Sequence, residues 1–155
     1  MAYSDNARKT VLVLNAEFPI TVLLNAVAHV ALGLRDAHGA ENWRFLDYPS
    51  PAFGANSRIS EYPVIVLRCK RSASLEKLVM QLKTAGIAHN VFMESMLGSS
   101  ATEQQRRTLE ATPGSVRIVC VSLVGEETEI RPFIKSHTLY SLRDTAHALG
   151  ADTKP

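Results

Sequence analysis

Residues Ile20 to Leu34 carry no charge, and they depart from the apolar only at Thr21, Asn25, His29 and Gly33. Spacing by fours places those residues on one slowly drifting stripe of a helix. Ile20, Leu23, Leu24, Val27, Val30, Ala31 and Leu34 then form an apolar face of period 3.6. Such a helix needs cover over most of its circumference, so its polar seam is expected to pack on a partner or line a pocket. Upstream, Thr10–Asn15 is a β-branched and aliphatic run without alternation, as in a strand buried on both faces. Pro19 suits the first helical turn, and His38-Gly39 should stop the helix near Ala37.

The same reading continues along the chain. Trp43–Asp47 reads as a short strand, followed by a proline- and serine-rich loop from Tyr48 to about Tyr62, long enough to be mobile or functional. Val64–Cys69 is a second buried strand. Ser72 or Ser74 should cap a helix carrying Leu75, Leu78, Val79 and Leu82, which Gly86 ends. Ile87–Glu94 follows as a strand, and this strand–helix–strand unit predicts a right-handed crossover and a parallel pair. Met96–Ala101 is a loop. Thr102–Ala111 is a polar surface helix capped by Ser100 with Glu103 or by Thr102 with Gln105. Val116–Val124 is the last strong strand, Ile130–Ser136 a helical turn, and Ser141 with Asp144 opens a final helix to about residue 149. The expected architecture is a three-layer α/β sandwich with a mostly parallel, mixed sheet of four or five strands. One domain is expected across residues 1–155, with its core at about 9–140 and a polar tail at 1–8.

Composition narrows the function classes. Of 155 residues, 46% are hydrophobic and 21% charged, which suits one domain with a sizeable core. A net charge of +2 is too mild to announce nucleic-acid binding. Cys69 and Cys120 lie in strand-like runs far from each other, so neither a disulfide framework nor a structural zinc site is expected, and a reducing cytoplasm is the natural setting. The polar N-terminus is unlike a secretory signal, and the Ile20–Leu34 run is shorter than a membrane span. His29, His38, His89, His137 and His147 show no paired metal spacing, so neither a metal nor a cofactor is expected.

The order of pieces resembles the peptidyl-tRNA hydrolase II fold, and more closely a bacterial family of unknown function built on it. The residues that carry the resemblance are KTVLVLN, the helix with AHVA at Ala28–Ala31, VIVLRCKRSASLEKL, AGIAHNVFMES, and VRIVCVSL followed by IKSHTLY, together spanning about Lys9 to Tyr140. The resemblance implies that fold and a homodimer. His29 fits the hydrolase's helix histidine, Glu94 matches its aspartate at the end of the third strand, and Arg68 matches a basic residue ending the second. Val22 and Ala26 stand at the places of its lysine and glutamine, and Met96–Ser100 replaces a small-residue and threonine pattern. The hydrolase's own reaction is therefore not carried over.

Three constellations have chemistry to offer. Asn25 and His29, one helical turn apart, can share a ligand, with His29 as proton shuttle; alternatively His29 is a packed histidine satisfied by a carbonyl. Glu94 ends a strand before a loop, where it is either a general base or a surface cap. Arg68, Lys70 and Arg71 pass from strand to helix at the sheet edge that also carries Asn15, and there they either hold an anionic group or form a solvated turn. Cys69 and Cys120 are read as packing residues. Three functions follow: a diverged hydrolase of a small anionic ester or amide, using Glu94 and His29; a binding module for a small anion or, with weaker support, RNA; and a dimeric interaction protein whose helix seam uses Ala26, Ala28 and Gly33. No membrane partner is expected.

Overall fold

The computed structural model describes residues 7–141; the expected C-terminal helix and most of the polar tail lie outside these residues. Seven strands and four helices follow one another as β1 Arg8–Asn15, α1 Ile20–Ala37, β2 Phe45–Ser50, β3 Ala55–Ser60, β4 Val64–Cys69, α2 Ser72–Ala85, β5 His89–Met93, α3 Ala101–Leu109, β6 Ile118–Glu126, α4 Glu127–Ile134 and β7 Thr138–Leu139. Five strands form one sheet in the order β5-β6-β1-β4-β7. Only β1 and β4 pair in parallel; β1–β6, β5–β6 and β4–β7 are antiparallel. The sheet is thus mixed, and antiparallel in most of its ladders. The expected parallel pair across α2 does not form, because β5 travels to the far edge and pairs with β6. Both sides of β4 are taken, by β1 and by β7, so β5 lies beyond β1 and β6 at the other edge.

Strand alternation divides the core. Val11 and Val13 of β1, with Leu67 and Cys69 of β4, face α2 and α4 through Leu75, Leu78, Leu82 and Ile130. Leu12 and Leu14 face the other way, onto Leu23, Ala26 and Val30 of α1. Helices therefore cover both faces of the sheet. A β-bulge sits where Phe92 pairs with Cys120 but Met93 pairs with Ile118, which leaves Val119 as the extra residue.

Helix α1 is less covered than its composition implies. Leu23, Ala26, Val30 and Leu34 are buried, whereas Leu24 is 63% and Leu32 72% exposed. Leu24, assigned by the pattern to the core face, instead points outward beside the polar stripe. By length and composition α1 could cross a membrane, but its inner stripe packs on β6 and β5. Two of the small residues expected to admit a second subunit face inward as well. Ala26 is fully buried, and Gly33 lies against Asn90 of β5.

The expected loop from Tyr48 to Tyr62 is a β-hairpin, β2 with β3, turning through Pro51–Phe53 and a left-handed Gly54. None of its strand residues is buried, so no burial alternation marks the strands. Phe45 anchors it between the guanidinium groups of Arg35 and Arg58, 5.5 and 5.7 Å from its ring centre. Ser72 and Ser74 do not cap α2, which opens after Arg71 without a side-chain cap; Gly86 ends it in the left-handed conformation, as expected. Ser100 does cap α3, accepting from the Glu103 N–H.

Candidate functional site

A cavity of about 960 Å³ opens between α1, the β5 edge and α3. Asn25 and His29 line it from α1, as the seam predicted, and Phe92 provides an aromatic wall, its ring stacked on that of His29 at 5.9 Å and 28°. The opposite side comes from Met96–Gly98 and from Gln104, Gln105, Thr108 and Leu109 of α3. Hydrogen bonds fix that side: Arg107 donates to Leu97 O at 2.8 Å, Gln104 donates to Gly98 O, and the Ser95 and Thr108 hydroxyls are 2.7 Å apart. Asn25, His29 and Gln105 have side chains that hydrogen-bond to nothing among the described residues. Gln105 and Phe92 escaped the sequence reading, since α3 shows no apolar stripe to say which of its faces turns inward.

Gly33 ends the stripe in a different environment. Four residues on a helix advance the direction by about 40° beyond a full turn, so by Gly33 the stripe has drifted onto the sheet. There Asn90 Nδ2 donates to Val30 O at 3.2 Å, and Ser122 Oγ donates to the same carbonyl at 3.1 Å.

Glu94 does not line this cavity. Its carboxylate forms a two-pronged pair with Arg117, at 3.0 Å from Nε and 2.5 Å from Nη2, while the guanidinium lies 4.3 Å over the Phe18 ring. The Arg117 hydrogen bonds hold the Glu94 carboxyl below its ordinary range against a smaller opposing effect of burial. A carboxylate so paired is a weak base, and the cavity it borders, with Ser95, Arg107 and Glu110, is separate from that of His29. The pair of Glu94 and His29 required for the hydrolase reading is not brought together.

Asn15 is fully buried and committed to structure. Its Nδ2 donates to Ser72 Oγ at 2.7 Å and to Ile118 O at 2.8 Å, and its Oδ1 accepts from the Glu17 N–H at 3.0 Å. Ser72 Oγ in turn donates to Glu17 at 2.7 Å. Asn15 thus ties β1, β6 and α2 together and leaves no donor for a ligand.

The basic trio does assemble. Arg68, Lys70 and Arg71 line a cavity of about 430 Å³ with Cys69, Ser74, Ser136, His137 and Thr138. The last three residues belong to the approach to β7, whose pairing of Thr138 with Arg68 brings them there. A two-residue strand leaves too faint a pattern to be read from sequence. Both cysteines are buried and free, and burial pushes the Cys120 thiol up to about 12. No group of metal ligands occurs among the described residues.

These features define an α/β domain with a mixed five-stranded sheet and an uncharged cavity at one sheet edge. By sequence the chain belongs to a family described as a protein of unknown function (DUF2000), whose profile matches residues 8–141. Among solved structures it is similar to Atu0240 of Agrobacterium tumefaciens strain C58, itself a protein of unknown function. The two share 20% identity with a TM-score of 0.73, over 87% of this chain and 98% of that one, a likeness of fold. No curated protein matches.

Proposed function

We propose that this chain is a small-molecule-binding protein on a peptidyl-tRNA-hydrolase-II-like sheet, taking its ligand in the cavity between α1 and α3. The observation that carries this reading is the convergence of Asn25, His29 and Gln105, three unengaged polar side chains from two helices, over an apolar floor of Val30, Phe92, Met96 and Leu97. Polar and apolar residues share the lining about equally, and convergent polar groups beside an apolar wall can fix the orientation of a small ligand. Among the described residues no Asp, Glu, Lys or Arg lines the space, so the portion of ligand held there is uncharged, such as an amide or the edge of a heterocycle. Amide side chains match such an edge because each offers both a donor and an acceptor.

Binding is favoured over hydrolysis because His29 has no carboxylate beside it, Glu94 being held by Arg117 in another cavity. The likeness to the hydrolase fold rests on the sequence pieces quoted above, and Val22 and Ala26 at the lysine and glutamine places argue against its reaction. Two buried free cysteines support a cytoplasmic setting, and the Agrobacterium neighbour supports a bacterial family. For the expected homodimer, the outward face with Leu24, Ala28 and Leu32 replaces the inward-facing Ala26 and Gly33.

Nitrogen-15 NMR spectra of the full chain, titrated with nicotinamide, uracil and N-acetylglycinamide, test the reading. Saturable shifts at Asn25, His29 and Gln105, abolished by H29A and N25A, are expected. Shifts confined to other surfaces, or none with any probe, would sink it.

A further inference from the structure

The cavity at the end of β4 has a chemistry opposite to that of the α1–α3 cavity. We infer that Arg68, Lys70 and Arg71, with the Ser74, Ser136 and Thr138 hydroxyls and His137, form a second site that holds the phosphate group of a small phosphorylated compound.

Charge is the first ground. Three cations line this cavity, and among the described residues no acidic one does. Arg8, Lys9, Arg44, Arg58, Arg106 and Arg117 each have a carboxylate partner. Arg35, Lys77, Lys83, Arg107, Arg131 and Lys135 have none among the described residues, but they do not converge on one cavity with other cations. Lys70 and Arg71 form no ion pair among the described residues, so an anion could engage both without displacing a carboxylate. A guanidinium beside a phosphate offers parallel N–H donors, among the strongest hydrogen bonds available to a protein.

Local backbone structure is the second. The Cys69 thiol donates to Arg71 O at 3.3 Å, the Ala16 N–H to Cys69 O at 2.8 Å, and the Ser74 N–H to Arg71 O at 3.0 Å. These bonds pin the turn that presents Lys70 and Arg71. Helix α2 begins immediately afterwards, fourteen residues long, with no side-chain cap and no acid in its first turn. Its positive pole adds to the cations, although the Glu17 carboxylate already meets it through Ser72 Oγ. Across the cavity, the β7 pairing sets the Ser136 and Thr138 hydroxyls as further donors. Half-buried His137 is held neutral more readily than usual, chiefly by desolvation, so it can donate one hydrogen bond and take up a proton when a dianion arrives.

The geometry favours a compact phosphate compound over RNA. The donors converge on one concave space, where a strand of RNA needs a track of cations. Among the described residues no Phe, Tyr or Trp lines the space to stack a base.

The test titrates the full chain at low ionic strength with inorganic phosphate and with glycerol 3-phosphate, using sodium chloride of matched ionic strength as the blank. A short oligouridylate forms a separate arm, and nitrogen-15 NMR is the readout. Saturable shifts at Lys70–Ser74 and Ser136–Thr138 are expected with both phosphate compounds. Affinity should fall at least about tenfold in the K70Q/R71Q double variant, in line with losing charge-assisted hydrogen bonds. Both residues are exposed, so the melting temperature should hold. Shifts no larger than those of chloride, shifts elsewhere, or unchanged affinity in the double variant would overturn the inference. So would oligouridylate binding more tightly than glycerol 3-phosphate with a footprint spreading beyond the cavity. Because the α1–α3 cavity shares none of these residues, failure here leaves the proposed function standing, and the reverse holds.

Discussion

A Cβ placed on Gly33 would lie 2.4 Å from Asn90 Nδ2, so helix α1 sits on β5 at a separation that only glycine permits. Asn90 is not free to yield, since its amide donates to Val30 O and accepts from the Val91 N–H. In an exposed helix, alanine in place of glycine stabilises by about 0.5–1 kcal/mol. Here G33A must displace the Asn90 side chain and lose its bonds, so a net destabilisation of about 1 kcal/mol is expected. In an N90A background the obstruction is gone, and G33A should become stabilising. Urea unfolding of the four proteins checks this. A G33A effect of the same sign in both backgrounds would show that the contact does not set the helix position.

The Glu94–Arg117 pair should behave as a surface brace. Both side chains are more than a third exposed, so its worth is at most about 1 kcal/mol. The folded state lowers the Glu94 pKa, so the pair's contribution is present above the ordinary 4.5 and lost as pH falls through the folded value. R117M should therefore be less stable than the parent at neutral pH and converge with it in acid. E94Q should leave nicotinamide or uracil shifts at His29 unchanged; a loss of those shifts would return Glu94 to the site.

Much of this arrangement is legible in the chain, for reasons that differ by residue. Strands β1 and β4 announce themselves because both their faces are buried and nearly every position is apolar. Gly86 and Ser100 mark helix ends because a left-handed turn and an orphan N–H are local needs. The β2–β3 hairpin leaves no such mark, because exposed strands are free of the alternation that burial imposes. Strand order is hidden for another reason: the segment that occupies the place beside β1 is β6, over a hundred residues later, and no local pattern names a partner. The site follows the same logic. Asn25 and His29 are visible as a polar break in an apolar helix. The neutralisation of Glu94 depends on Arg117, a residue 23 positions away that reaches it through the β5–β6 ladder. Asn15 is expected at a ligand but ties strands and helix together, because a polar residue ending a buried strand looks the same whether it serves a ligand or the backbone.

Neither thiol should react in the native protein. Cys120 is fully buried with its thiol pushed up to about 12, and Cys69 is 4% exposed with its hydrogen donated to Arg71 O. A thiolate, the reactive form, is therefore scarce at Cys120, and reagent access is closed at both. An aromatic disulfide reagent should modify no cysteine in buffer and both in urea. Rapid native labelling at Cys69 would mean that the turn presenting Lys70 and Arg71 opens readily.

His137 should give the protein an acid-sensitive edge that an anion relieves. Desolvation lowers its pKa below the ordinary 6.5, only partly offset by its bond with Ile134, so the unfolded chain binds the proton more tightly than the folded one. Where the unfolded state holds more protons, stability rises with pH. Folding is thus unpenalised above about 6.5 and loses stability as pH falls from there through the folded value. Arg68, Lys70 and Arg71 share the cavity and repel an imidazolium, which acts in the same direction. H137N should flatten the stability curve on the acidic side while leaving it unchanged at neutral pH and above. Phosphate in the cavity would favour the imidazolium, so adding it should flatten the parent's curve in the same range and leave that of H137N as it was. Thermal unfolding as a function of pH, with and without phosphate, reads both effects. A parent curve indifferent to the substitution would place His137 in water, and one indifferent to phosphate would place the anion elsewhere.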